Sequence, residues 1–305
     1  MEAVTRNFFL CLSKNNWLNQ VARKRGSGIV TGKIIAGIDF PNSVQIIREL
    51  NRKGLSTTVD HLGEFVHSKE TAIERTKEAI ETVETIAREK LDSHISVKMT
   101  SLGLDIDRDL VVRNMTSILD TAEKHGVMVT IDMEDEPRCE QTLELFKQLR
   151  ESYSCVSTVL QAYLYRTEQD LKKLSVLKPF LRLVKGAYKE PATVAYPDKK
   201  DVDDNYKKLI RQSLEYGLYT AVATHDDEMI NYTKALAEKL KIPNDQFEFQ
   251  MLYGMRSKTQ LELVEQGYKM RVYVPYGRDW YGYFMRRLAE RPANISFAFK
   301  GLVKK

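Results

Sequence analysis

The chain has 305 residues, 43% of them hydrophobic, and a formal net charge of +5 spread over its whole length. That length suits one large domain or two ordinary ones, and the apolar share is enough for a substantial core. The sequence has no Lys/Arg tract to argue for nucleic acid and no 18-residue apolar run to cross a bilayer.

Three cysteines, Cys11, Cys139 and Cys155, lie far apart and lack metal-ligand spacing. They read as reduced thiols of a cytoplasmic protein. Phe8–Leu12 is too short for a signal-peptide core.

Residues 1–54 read as an N-terminal arm of two or three helices. Within it, residues 2–24 suit either an amphipathic helix for a membrane or partner, or ordinary core packing. From residue 55 onward, short β-type runs alternate with longer helical patterns. Strands are predicted near Ser56–His61, His94–Met99, Val127–Met133, Cys155–Gln161, Phe180–Ala187, Leu218–Ala223, Phe247–Gln250 and Tyr268–Tyr273. Amphipathic stretches such as Glu70–Lys90, Asp107–His125 and Arg138–Arg150 fall between them. Gly126, Gly217 and Gly267 each close a helix just before the next strand. Eight such units predict an α/β fold of the (β/α)8 barrel type over residues 55–305. A doubly wound open sheet is the alternative; the count of eight and the lack of a Gly-rich first turn favour the barrel.

Barrel enzymes work at the C-terminal ends of their strands. Near the end of strand 2 Lys98 is in phase with Ser96, and near the end of strand 3 Asp132 is in phase with Thr130. Neighbouring strands then bring Lys98 beside Asp132, either as a barrel-lining ion pair or as a polar ledge for a zwitterion. Gln161 at the end of strand 4 and Arg182 on strand 5 suit a heterocycle such as a flavin or pterin. Gly186 allows close backbone approach. Thr224 and His225 after strand 6 read either as helix-capping residues or as ligand contacts. On the last helix, Tyr283, Arg286, Arg287 and Glu290 are spaced i, i+3, i+4, i+7 and share one face. Two adjacent guanidiniums beside a tyrosine form a fork for a small carboxylate, although a solvated charged face would carry the same pair.

Seven segments, in order, carry a family resemblance. They are Ser96-Val97-Lys98-Met99-Thr100, Ile131-Asp132-Met133-Glu134-Asp135, Leu160-Gln161-Ala162-Tyr163-Leu164, Arg182-Leu183-Val184-Lys185-Gly186-Ala187-Tyr188, Ala223-Thr224-His225-Asp226, Phe249-Gln250-Met251-Leu252-Tyr253-Gly254-Met255 and the Tyr273–Pro292 signature. Together they resemble the flavin-dependent proline dehydrogenases, of the small monofunctional bacterial type. Tyr253 is a mild departure, since some relatives carry histidine there.

The resemblance implies FAD bound without a Rossmann fingerprint, and no G-x-G-x-x-G opens a helix here. By resemblance, Met133, Gln161, Arg182, Lys185, Gly186, Ala187, Thr224, His225 and Glu290 contact the cofactor. Lys98, Arg286 and Arg287 would take proline's carboxylate. Tyr188, Leu252, Tyr273 and Tyr283 would wall its ring, and Asp132 and Arg182 would carry catalytic roles. In relatives that prefer 4-hydroxyproline the position of Tyr273 is smaller, so the resemblance implies L-proline as substrate. The reaction implied is oxidation to Δ1-pyrroline-5-carboxylate, with hydride passing from C5 to flavin N5. Electrons would go to a membrane quinone, which implies peripheral contact with the inner face of the cell membrane. A separate pyrroline-5-carboxylate dehydrogenase would take the product. The rival readings are a flavin barrel of the methylenetetrahydrofolate reductase type and a non-catalytic ligand-binding barrel.

Overall fold

The computed structural model describes residues 35–63 and 65–290, the side chains of residues 286–290 excepted. Helix α1 (Phe40–Arg52) leads into β1 (Ser56–His61), α2 (Lys69–Arg88) and β2 (Ser93–Lys98). A 3-10 turn (Met99–Leu102) precedes α3 (Arg108–His125), β3 (Val129–Asp132), α4 (Glu136–Arg150), β4 (Val156–Gln161) and α5 (Thr167–Ser175). Then come β5 (Leu181–Val184), α6 (Lys199–Glu215), β6 (Thr220–Ala223), α7 (Asp227–Leu240), β7 (Phe247–Leu252), α8 (Ser257–Glu265), β8 (Met270–Tyr276) and α9 (Trp280–Glu290). The eight strands pair in sequence order, all parallel, and β8 closes on β1. The expected (β/α)8 barrel is therefore the fold. Of the expected N-terminal arm, residues 1–34 lie outside the described residues.

Local chemistry starts and stops the helices where the sequence suggests. The side chains of Asp39, Ser68 and Asp107 accept from the first-turn amides of α1, α2 and α3. The three cap glycines all take positive φ, at 68°, 69° and 82°. The outward strand faces pack under the helices in one core that includes Val59, Ile95, Val129, Leu183, Val222 and Phe249.

Two strands differ from the sequence reading in ways that shape the mouth. β5 stops at Val184, not Ala187, because Gly186 sits at φ +118°. A Cβ there would meet Tyr163 ring atoms at 2.3 Å, so only glycine lets the chain turn under that ring. Conversely, β8 runs on to Tyr276 despite Pro275. The proline carbonyl accepts from Ala36 N at 2.9 Å and Tyr276 O accepts from Leu62 N at 2.8 Å, so the ladder survives the missing N–H.

Candidate active site

The barrel interior is lined by charge. Register sets Lys98 opposite Asp132, and Lys98 Nζ reaches Asp132 Oδ2 at 3.2 Å. The same ammonium donates to Asp60 Oδ1 at 2.9 Å. Asp132 Oδ1 accepts from Arg182 Nη1 at 2.7 Å and from Ser96 Oγ at 3.1 Å, while Oδ2 accepts from the Tyr273 phenol at 2.7 Å. Two carboxylates and two cations, from four strands, thus form one buried network in which every charge faces an opposite one. Asp60 is 3% exposed and Arg182 4% exposed, so these contacts are made away from water.

The two carboxylates are not equivalent. Burial pushes Asp132 up, but Lys98, Arg182 and the Tyr273 hydrogen bond outweigh it and leave its pKa below the ordinary value. Asp60 has one cation to set against its burial and feels the negative charge of Asp132, and its pKa is raised. Burial, with the charges of Asp132 and Asp60, keeps the Tyr273 phenol protonated. The arrangement is one firmly ionised carboxylate, one reluctant one, and an ammonium between them.

Other sequence-predicted residues gather around this network. Gln161 Nε2 donates to the Glu134 carbonyl at 3.1 Å. The Lys185 ammonium is taken up by Asp203 and Asp226 at 2.5 and 2.8 Å, so its main chain is the part that faces Tyr163, whose N–H donates to Lys185 O. Thr224 Oγ1 accepts from Asp226 N at 3.1 Å, and Asp226 is the residue that caps α7, its side chain accepting from Glu228 N. His225 Nε2 accepts from Leu252 N at 3.0 Å, which ties the end of β6 to the end of β7. Leu252 pairs in register with Tyr273. Met133 is buried, and Ala187 and Tyr188 are half-buried on the loop after β5. Tyr283 packs with Ile35, Leu62 and Trp280 at 7% exposure. The side chains of Arg286, Arg287 and Glu290 lie outside the described residues.

Sequence reasoning passed over three buried acids. Asp60 stands one residue before the end of β1, near the strand ends that carry Lys98 and Asp132, a signal available from Val59-Asp60-His61. Glu134 lies inside a segment already singled out. Deeper in the barrel, Glu248 and Arg271 pair at 2.7 Å, with Tyr219 and Gln250 donating to the same carboxylate. Cys139 and Cys155 are free and buried; burial raises their thiols to about 12 and about 11, so neither is a poised nucleophile. Among the described residues no helix is long and apolar enough to cross a membrane, and no group of acidic, His and Cys residues could hold a metal ion.

Known proteins give this constellation a context. A family model described as Proline dehydrogenase matches residues 43–300. Proline dehydrogenase 2 of Bacillus subtilis is 67% identical over 302 residues, which cover 99% of this chain and 100% of the relative. Proline dehydrogenase of Deinococcus radiodurans is 40% identical over 309 residues, covering 100% of this chain and 99% of the relative. Among solved structures, proline utilization A of Bdellovibrio bacteriovorus, inactivated by N-propargylglycine, superposes with a TM-score of 0.83 at 26% identity. That match covers 99% of this chain but only 38% of the larger one. With a full-length barrel, an ordered set of strand-end residues and these matches, the chain belongs to the proline dehydrogenase family.

Proposed function

We propose that this chain oxidises L-proline to Δ1-pyrroline-5-carboxylate using FAD held at the barrel mouth. The observation that carries the reading is the buried Lys98–Asp132–Arg182–Tyr273 network, in a chain of this family.

The residues at the mouth fit a flavin. Arg182 Nε is buried and has no hydrogen-bond partner among the described residues, so a donor is available to an acceptor on a ring. Gly186 brings main chain, not a side chain, to the same rim. Gln161, Arg182 and the 185–187 main chain would hold the ring, with Met133 against it; Thr224, His225 and Glu290 would hold the rest. When bound, the flavin supplies the two-electron chemistry by accepting hydride from substrate C5.

The protein's own contribution is orientation and charge. Lys98, with Arg286 and Arg287 on α9, would take the carboxylate of proline; a bidentate clamp at one end fixes the pose of so small a ligand. Tyr188, Leu252, Tyr273 and Tyr283 would exclude water around the ring. Hydride loss requires a neutral amine; Asp132 would act on that step by holding Lys98 and Arg182, whose positive charges disfavour the protonated amine, and the amine proton would leave to solvent. The Arg182 guanidinium favours charge that builds on the electron-accepting side.

Two finer parts of the reading concern what leaves the site. Electrons would pass on to a quinone through a peripheral encounter with a membrane, and the product would be taken by a separate dehydrogenase for the cyclic imine or its open aldehyde. The deciding experiment is a visible spectrum of the purified protein before and after anaerobic L-proline. Bleaching of a flavin spectrum is expected; an unchanged spectrum at saturating proline rejects the reading. Reduction of a water-soluble quinone in the same cuvette tests the acceptor.

A further inference from the structure

Glu134 lies two residues beyond Asp132 and is 1% exposed, yet nothing in the reaction above uses its carboxylate. That carboxylate accepts the main-chain N–H of Thr100 at 3.0 Å and also the Thr100 hydroxyl. Having spent its one hydrogen on Glu134, the Thr100 hydroxyl presents a lone pair in a fixed direction, and Phe65 N donates to it at 3.2 Å. Val66 N donates to the Thr100 carbonyl at 3.3 Å.

Phe65 needs such restraint. It sits at φ +55°, a left-handed conformation that a bulky aromatic adopts only where its surroundings impose it. Arg138, itself bound to Asp105 and Asp135, lies over the Phe65 ring with Cζ 5.0 Å from the centroid. Close by in sequence, Leu62 packs on Trp280 and Tyr283, the first turn of α9. Thus Glu134, just past β3, holds through Thr100 the residues that follow Leu62 in the chain, and Leu62 is where α9 rests.

We propose that Glu134 is a positioning residue which, acting through Thr100, fixes Phe65 and Val66 and thereby the seat of α9 over the barrel mouth. The inference rests on the proline reading, in which α9 brings Arg286 and Arg287 to the substrate carboxylate. A loosened seat costs the enzyme its grip on substrate before it costs anything in hydride transfer. The Gln161 contact is to the main-chain carbonyl of Glu134, so side-chain changes at Glu134 leave it in place.

The test compares Thr100→Val, Thr100→Ser and Glu134→Gln with the unmodified protein. Hydrogen exchange at the Phe65 and Val66 amides is read in the protein without added flavin, and FAD affinity and proline kinetics are measured separately. Thr100→Val and Glu134→Gln are expected to speed exchange at those amides and raise the proline KM about tenfold, with kcat within about twofold and FAD affinity unchanged. Thr100→Ser, which keeps the hydroxyl, restores both. Unchanged exchange and KM in Thr100→Val overturns the proposal. So does exchange that rises across the whole barrel with Thr100→Ser no better than Thr100→Val, since that marks an ordinary core residue. Should Glu134→Gln not fold, the Thr100 pair alone decides. Failure of the proline reading is seen separately, as an unmodified protein whose flavin proline does not bleach.

Discussion

Tyr273 on β8 donates its phenol hydrogen to Asp132 on β3 at 2.7 Å, although two strands separate them around the barrel. The same ring stands 5.2 Å from the Arg182 guanidinium carbon. One residue therefore fastens the carboxylate and braces the cation that pairs with it. Tyr273→Phe keeps the ring and removes only the hydroxyl. Losing one hydrogen bond to a charged group costs about 1.5–3 kcal/mol, so kcat/KM with proline is expected to fall roughly ten- to hundredfold while FAD stays bound. Tyr273→Ser also opens space, and its relative efficiency with trans-4-hydroxyproline is expected to rise. The measurement is kcat/KM for both substrates in all three proteins; an unaltered Phe variant would remove the Asp132 contact from the mechanism.

Lys98 is held between two buried acids at 2.9 and 3.2 Å, and its removal leaves Asp60 without a counter-charge beside Asp132, which keeps Arg182. Breaking one side of a buried pair typically costs about 3–5 kcal/mol. Lys98→Met is expected to show a loss of that order in urea unfolding. Adding Asp60→Asn to Lys98→Met is expected to recover part of it, because the second change removes the stranded charge. Additive losses in the double variant would show that the two residues are not coupled.

The barrel and its charged mouth were legible because both follow from period and phase. Lys98 and Asp132 alternate with Ser96 and Thr130, and a parallel register does the rest. What escaped depended on long-range partners. Asp60 stands near a strand end in the sequence, but its partner, the Lys98 ammonium, comes only with β2 beside β1. Pro275 looks like a strand terminator until Ala36 arrives to use its carbonyl. Phe65 carries no sequence mark of its left-handed backbone, since the groups that impose it come from the segments after β2 and β3. The roles of Thr224 and His225 were ambiguous from the sequence for a related reason. The Thr224 hydroxyl serves the nearby Asp226 N, a local use that the sequence offers among others, whereas His225 is used by Leu252 N, 27 residues on.

His94 gives the barrel an acid limit. Burial, then the charges of Arg271 and Arg182, hold its imidazole well below the usual 6.5. The unfolded chain therefore binds a proton that the folded one refuses as pH drops below 6.5. Stability is expected to fall with decreasing pH there, by up to about 1.4 kcal/mol per pH unit from this group. His94→Asn removes the proton uptake. Its unfolding free energy, followed by urea titration from pH 7 to pH 5, is expected to fall less steeply than that of the unmodified protein. Parallel slopes would assign the acid sensitivity to other groups.

Arg286 and Arg287 follow Tyr283 by one helical turn on α9, and Tyr283 is anchored against Leu62 and Trp280. The anchoring fixes one face of α9 against the chain after β1. A guanidinium meets a carboxylate with two parallel donors, whereas an ammonium offers a point charge. Arg286→Lys and Arg287→Lys preserve charge and lose the fork. Each is expected to lower kcat/KM for proline by roughly ten- to hundredfold, mainly through KM, with the flavin spectrum and FAD affinity intact. A competitive inhibitor that keeps the ring but lacks the carboxylate is expected to bind the variants and the unmodified enzyme alike. If both lysine variants keep unmodified proline kinetics, the carboxylate is bound elsewhere, and Lys98 becomes the residue to change next.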